Sequence, residues 1–183
     1  VVQASDFGQT LLNKAQIEAQ AYLSLCYGAK VINWACWTYG WWVPDNQIVD
    51  SAGNYTSLYD SVKAVNGEIK AFSDLYSEYV NIGNFYVGRT CGDFFKKTAA
   101  NAVGTIKQDV FTEISIDDGG LVAGYFEKPD GSSYGLVLTN VTDLYSGDGS
   151  NTVSMRIPCA TKVTLYTDGG ETVLTPGEDG TYS

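Results

Sequence analysis

Apolar residues recur at helical spacing in two segments of the first half of the chain. The pattern predicts one helix from Thr10 to Tyr27, which Gly28 would end because glycine readily adopts the left-handed conformation that follows many helices. A second, longer helix is predicted from Thr56 to Tyr79, with Thr56 as its N-cap. The apolar positions of this helix step by three or four residues: Leu58, Val62, Val65, Ile69, Phe72, Leu75 and Tyr79.

A strand is predicted between the two helices, from Lys30 to Trp37. Alternate positions place Asn33 and Trp37 on one face and Trp34 on the other, and both faces are mostly apolar. Such a strand is typical of a parallel sheet that is buried on both sides. Together with the extended segment "VVQAS" at the start, the first half predicts strand, helix, strand, loop and helix, which is an α/β arrangement.

The second half of the chain predicts an antiparallel β structure. From Gln108 onward, short apolar runs alternate with turns rich in Gly, Asp and Ser. The stretch "LVAGYFEKPDGSSYGLVLTN" contains the clearest hairpin turn. Strands at this regular spacing favour a sandwich or barrel. The sequence therefore predicts two domains, residues 1–100 and residues 101–183.

The composition narrows the classes of ligand. The 183 residues carry a formal net charge of −10. This acidity argues against nucleic acid and anionic membranes as partners, because both require a basic surface. Charged residues make up 17% of the chain, whereas 13 tyrosines and 4 tryptophans offer uncharged aromatic surface that suits a neutral, hydroxyl-rich ligand. No apolar run approaches the length of a bilayer span.

The chain contains no histidine, and its four cysteines form no CxxC pair. These facts argue against a zinc site and exclude Ser-His or Cys-His catalysis within the chain. Acid–base chemistry would fall to carboxylates, tyrosine or lysine, and no metal or cofactor is expected. Cys26 ends the first predicted helix, and Cys36 lies near the far end of the next strand, so we expect no disulfide between them.

Three consecutive stretches carry a resemblance to a known family. "AYLSLCYGAK" is followed by "VINWACWTYGWW" and then by "IVDSAGNYTSLYDSVKAVNGEIKAF", with the β-rich half behind them. In this order they resemble the last part of the (β/α)8 barrel in clan A glycoside hydrolases, especially the β-galactosidase-like families. The resemblance implies an α/β fold followed by an all-β part. The first would be the last βα units of a TIM-barrel-like domain, and the second a C-terminal antiparallel β-sandwich.

The family's chemistry implies where catalytic groups would lie. Retaining enzymes of this type place two carboxylates ~5 Å apart around the scissile bond. The acid/base follows the fourth strand, which would lie outside this chain, and the nucleophile follows the seventh, where this sequence has Gln3 with Asp6 nearby. Glutamine cannot act as a nucleophile, so either the register of the match is shifted or the parent departs from the family's pattern. Asp6, close to the end of this strand, is a candidate for a catalytic role, with helix N-terminal capping as its alternative. We expect the isolated chain not to hydrolyse glycosides.

Aromatic residues are the main candidates for substrate binding. Trp37 matches the tryptophan that closes the eighth strand of the family's barrel, at the mouth of the sugar site, and its ring could stack on a pyranose. The alternative is that Trp37 caps the barrel core. Tyr39 and Trp41 in the following loop are further candidates for sugar contacts, whereas Trp42 is expected to pack. Trp34 faces the opposite way and is predicted to belong to the core.

Polar residues complete the predicted substrate site. Asn33 and Gln3 are assigned to substrate binding from their places in the two predicted strands, although a structural hydrogen bond would account for Asn33 more easily. Asp45 and Asp50 lie in the long loop and fit turn or cap chemistry.

The leading hypothesis is the C-terminal portion of a carbohydrate-active enzyme. Its parent would hydrolyse glycosidic bonds by a two-carboxylate mechanism, and this chain would supply aromatic platforms for an oligosaccharide or polysaccharide. The alternative is a non-catalytic carbohydrate-binding or surface-adhesion module, and a purely structural β domain is a third interpretation. The N-terminal part of the barrel or a second copy of the chain would cover the open sheet edge. An extracellular or cell-surface location is favoured, and a cytoplasmic one stays open.

Overall fold

The computed structural model describes residues 2–4, 11–35, 37–38, 47–88, 110–143, 150–167 and 170–183. The helices in these ranges are α1, Lys14–Cys26, and α2, Ser57–Ser77. The strands are β1 Val2–Gln3, β2 Trp34–Ala35, β3 Val80–Gly88, β4 Glu113–Ile116, β5 Gly120–Glu127, β6 Tyr134–Asn140, β7 Val153–Arg156, β8 Val163–Thr167, β9 Gly170–Leu174 and β10 Thr181–Tyr182.

The strands form four small sheets within the described ranges. β1 and β2 pair in parallel over two residues each. β5 lies between β3 and β6, and β7 lies between β10 and β4, in two antiparallel sheets of three strands. β8 and β9 form an antiparallel hairpin.

α1 begins four residues later than the sequence pattern predicts, because Asn13 caps it. The Asn13 side chain accepts a hydrogen bond from the backbone N–H of Gln16, and the Gln16 side chain accepts one from the backbone N–H of Asn13. This reciprocal capping box satisfies two amide groups that a helix start leaves unpaired. The predicted end is confirmed, since Gly28 follows the helix with a φ of 82°.

α2 has nearly the predicted bounds. Thr56 is its N-cap and accepts a hydrogen bond from the backbone N–H of Leu58. At the other end, Lys30 Nζ donates to the carbonyls of Tyr76 and Tyr79, at 2.9 and 2.8 Å. A cation at the C-terminus of a helix satisfies unpaired carbonyls and opposes the helix dipole.

The predicted fold class is wrong. It required the last βα units of a TIM-barrel-like domain, whereas the described residues form two helices and several small, mostly antiparallel sheets in which no barrel unit is evident. The predicted strand from Lys30 to Trp37 is reduced to Trp34–Ala35. Val31 is 74% exposed and Asn33 is also exposed, so this segment is not buried on both sides. The antiparallel sheets of the second half remain compatible with a β-sandwich.

The predicted domain division between residues 100 and 101 lies outside the described residues. β3 precedes that point in the chain and pairs with β5, which follows it, from Val80 opposite Glu127 to Gly88 opposite Gly120. The division itself stays a prediction.

The buried residues form one cluster between the helices and further clusters on the sheet of β3, β5 and β6, and α1 packs against both. One cluster lies between the two helices and the loop before α2, and it contains Ala4, Ile17, Ala21, Ile48, Val49, Leu58, Val62 and Val65. On the sheet side, β5 is buried along nearly its whole length. Cys26 packs with Val122 and Val141 on one face of this sheet, and Tyr125 packs with Phe85 on the other. α1 therefore belongs to both layers.

The C-terminus of α1 docks directly on the sheet. The carbonyl of Cys26 accepts hydrogen bonds from the side-chain amides of Asn81, at 2.9 Å, and Asn84, both on β3. Gly124 on β5 faces the same carbonyl, and a Cβ added there would lie 2.7 Å from Cys26 Cα and still closer to the carbonyl oxygen. The docking therefore requires a residue without a side chain at position 124.

The Cys26 thiol is enclosed by the same junction. Its sulfur lies 3.2 Å from the carbonyl oxygen of Val137 and 3.2 Å from Thr139 Oγ1. Burial raises the pKa of the Cys26 thiol to about 11. Cys26 and Cys159 are free thiols, and Cys36 lies outside the described residues.

Replacing Gly124 with alanine should destabilise the protein. We expect G124A to lower the free energy of unfolding by about 1–3 kcal/mol, because the new Cβ meets backbone atoms that cannot move independently. Urea unfolding followed by circular dichroism measures the change. G135A on the neighbouring strand β6 is the matched control, since its Cβ would make only ordinary van der Waals contacts, with the Tyr79 ring at 3.7 Å and with Phe126 Cβ at 3.9 Å. Equal effects of the two substitutions would contradict the tight docking of α1.

Alkylation should distinguish the two free thiols. At pH 8 we expect Cys26 to react with iodoacetamide at least about 100-fold more slowly than Cys159, because a raised pKa leaves little thiolate and burial blocks access. Peptide mass spectrometry after timed labelling reports each cysteine separately. In urea the two rates should converge, and fast labelling of native Cys26 would show that the junction opens.

Candidate functional site

Three aromatic side chains meet at the N-terminal end of α2. Trp37 follows β2, Tyr55 precedes α2, and Tyr59 lies in the first turn of that helix. Trp37 is 50% exposed and Tyr55 is 67% exposed, whereas Tyr59 is half-buried and packs on the helical core. We call these three residues the aromatic cluster.

The rings of the cluster are ordered against each other. Tyr55 stacks on Tyr59 with 3.9 Å between ring centroids and 7° between planes. Trp37 contacts Tyr59 edge-on, at 6.2 Å and 73°. The edge-on contact falls within the ~4.5–7 Å range that is favourable for aromatic pairs, whereas the Tyr55 and Tyr59 rings lie closer together and nearly face to face. Tyr59 is therefore the central ring, and it supports two more exposed rings on its sides.

The backbone around the cluster is attached to the core. The N–H of Val49 donates to the carbonyl of Trp37 at 2.9 Å, and Val49 also forms an antiparallel bridge with Tyr55. Val49 and its neighbour Ile48 are buried between the helices. Because the buried Val49 pairs with the backbone of Trp37 and with that of Tyr55, it determines the separation of these two residues.

Charged groups lie beside the cluster. Lys63 Nζ is 5.9 Å from the centroid of the Tyr59 ring, within reach of a cation–π interaction. Asp50 begins the turn that leads to Tyr55, and hydrogen bonds from the backbone and side chain of Asn54 hold the pKa of the Asp50 carboxyl below its usual value. Asp50 is therefore ionised at neutral pH, and the prediction of turn chemistry for it is confirmed.

The structure places only part of the predicted substrate site. Trp37 is exposed, and Asn33 is an exposed residue of the segment before β2. The backbone of Gln3 is paired in β1, opposite Ala35. The other candidates lie outside the described residues: Asp6, Tyr39, Trp41, Trp42 and Asp45. Their assigned roles stay predictions.

The prediction for Trp34 is confirmed. It packs against the helical core, and its indole Nε1 donates to Asn66 Oδ1 on α2 at 3.0 Å. The sequence prediction missed Tyr55 and Tyr59. Tyr55 precedes the Thr56 N-cap and lies outside α2, so helical spacing does not relate its side chain to Tyr59, and the sequence pattern gave no signal for their stacking.

Two concave surfaces elsewhere are small. A cavity of about 220 Å³ lies between the helices and the β8–β9 hairpin, with Tyr22, Phe72 and Tyr166 among its lining residues. Another, of about 280 Å³, lies beside Lys30 and Tyr76. Both fall below the ~300–1,000 Å³ typical of small-molecule sites. The aromatic cluster is instead an open surface, which suits a ligand that lies across the protein.

The aspartates with a resolved change in pKa are turn residues. Hydrogen bonds from the backbone N–H of Asp118, the side chain of Ser132 and the backbone N–H of Thr181 lower the pKa values of Asp117, Asp130 and Asp179, respectively. A general acid requires the opposite change. These carboxylates therefore stabilise turns and are poorly suited to donating a proton.

The described ranges contain neither a metal-binding group of side chains nor a membrane-spanning helix. No group of three or more Cys, Asp and Glu side chains there could hold a metal ion. Neither described helix is both long and apolar enough to cross a membrane.

Comparison with protein-family models, curated proteins and solved structures finds no match to this chain. The aromatic cluster is therefore the main basis for a functional assignment.

Proposed function

We propose that this chain binds a carbohydrate on the aromatic cluster, as a portion of a carbohydrate-active enzyme. The observation that supports this proposal is the exposure of Trp37 and Tyr55 on either side of a fixed ring, Tyr59. Large rings held at the surface retain apolar area that a partner can cover. The C–H face of a pyranose is flat and apolar, while its hydroxyls stay in water, so it fits an open aromatic surface.

The charge of the chain favours a neutral sugar. A formal net charge of −10 repels uronic acids and sulfated polysaccharides over long range. The carboxylate of Asp50 lies next to the cluster in sequence and is ionised. A neutral oligosaccharide or polysaccharide avoids this repulsion.

Hydrolysis of glycosidic bonds as the parent activity rests on the resemblance of "VINWACWTYGWW" to glycoside hydrolases in sequence alone, since the described residues show no barrel unit. Asp50, Asp117, Asp130 and Asp179 have lowered pKa values, so the general acid of such a reaction would be another residue. A non-catalytic carbohydrate-binding or adhesion module is the alternative, and the open form of the cluster favours it. Release of reducing ends from a bound oligosaccharide would distinguish the enzyme from the module.

Substitutions in the cluster should weaken sugar binding. We expect calorimetric titration with neutral hexasaccharides of glucose, xylose, mannose and galactose to show binding to at least one of them. W37A and Y55A should each weaken the affinity about tenfold, equivalent to ~1.4 kcal/mol, because each removes an exposed stacking ring.

Y166A is the matched control, since Tyr166 is 40% exposed but lies on β8, outside the cluster. The Y166A variant should bind the hexasaccharide with the same affinity as the unmodified chain. If none of the hexasaccharides binds, or if W37A and Y55A bind as well as Y166A, the proposed function is wrong.

A further inference from the structure

The turn before Tyr55 is organised around a single side chain. Asp50 Oδ1 accepts hydrogen bonds from the backbone N–H groups of Ala52, at 2.9 Å, and Asn54, at 2.7 Å. Asp50 Oδ2 accepts one from the Asn54 side-chain amide at 3.1 Å. The main chain closes the same loop, since the N–H of Asp50 donates to the carbonyl of Asn54 at 2.9 Å.

Hydrogen bonds, rather than burial, order this turn. Residues 51 to 55 are all exposed. Gly53 has a φ of 85°, and its N–H donates to the carbonyl of Asp50 at 3.1 Å. An exposed segment keeps one conformation only when local interactions outweigh its backbone entropy. The ionised Asp50 carboxylate is the acceptor for several of these interactions, and charge-assisted hydrogen bonds are stronger than neutral ones.

The turn determines where the Tyr55 ring lies. Asn54 donates hydrogen bonds to the Asp50 carboxylate from both its backbone N–H and its side-chain amide, and Tyr55 follows it directly. The bridge between Val49 and Tyr55 then aligns the ring for stacking on Tyr59. Without the turn, the segment would be held by the Val49–Tyr55 bridge, by the hydrogen bonds of Thr56 to residues 47 and 48, and by the stacking of Tyr55 on Tyr59.

We propose that Asp50 is a positioning residue of the carbohydrate-binding surface, which it serves by holding Tyr55 in the stacked position. This inference rests on the proposed function. Both carboxylate oxygens of Asp50 accept hydrogen bonds from the turn, which is the basis for assigning it a role that acts through Tyr55. Preorganisation of this kind raises affinity because the ligand does not have to order the loop.

Substitution of Asp50 should weaken binding of the hexasaccharide that the unmodified chain binds most tightly. We expect D50A to reduce the affinity at least threefold, and D50N to recover part of the loss because an amide oxygen can still accept from the backbone of residues 52 and 54. D74A is the matched control, since it removes one exposed carboxylate from α2, away from the turn. The melting temperatures of all three variants should stay close to that of the unmodified chain.

A double-mutant comparison tests whether Asp50 acts through Tyr55. In the Y55A background, D50A should cause no further loss of affinity. Proton NMR gives a ligand-free measure, because stacking on Tyr59 shifts the Tyr55 ring protons upfield, and D50A should remove this shift.

The possible failures are distinguishable. If Y55A weakens binding and D50A leaves both the affinity and the ring shift unchanged, the role of Asp50 is overturned and the proposed function stands. The same holds if D50A weakens binding equally with and without Tyr55. If the unmodified chain binds no hexasaccharide, the proposed function fails, and the role of Asp50 in ligand binding fails with it.

Discussion

The buried carbonyl at the end of α1 is the constraint that the described structure depends on. A helix leaves its last carbonyls unpaired, and an unpaired carbonyl inside a protein is strongly destabilising. The backbone carbonyl of Cys26 accepts hydrogen bonds from the side-chain amides of Asn81 and Asn84, both on β3. Gly124 lets the helix end approach closely enough for these bonds to form. This one junction joins the helical core to the sheet.

The same junction fixes α2 at one end. The Tyr76 hydroxyl donates to the carbonyls of Leu25 and Ala29, at 2.8 and 3.1 Å, and Lys30 donates back to the carbonyl of Tyr76. α2 has 21 residues and is therefore about 30 Å long. Tyr59 lies at its other end, far from the sheet. The aromatic cluster is thus supported by this long helix and by its own local turn.

Sequence patterns predicted the elements better than their arrangement. Thr56 was found as an N-cap because capping and apolar spacing are local properties. Asn84 and Gly124 could not be identified as docking residues, because their partner carbonyl is about 60 and 100 residues away in the chain. At the candidate site, Trp37 was selected as the last residue of a predicted strand, which the structure reduces to Trp34–Ala35, and its role in binding stays a prediction. Tyr59 was missed because its side chain lies beside the regular apolar stripe of the helix.

The contrast between Trp34 and Trp37 carries the functional argument furthest. Only two residues lie between them, yet Trp34 packs on the core and donates a hydrogen bond to Asn66, whereas Trp37 stays 50% exposed. A tryptophan presents up to about 250 Å² of surface, so half-exposure leaves ~100 Å² uncovered, equivalent to about 2–3 kcal/mol of unrealised apolar burial. A sugar face that covers Trp37 recovers part of that free energy without disturbing the core.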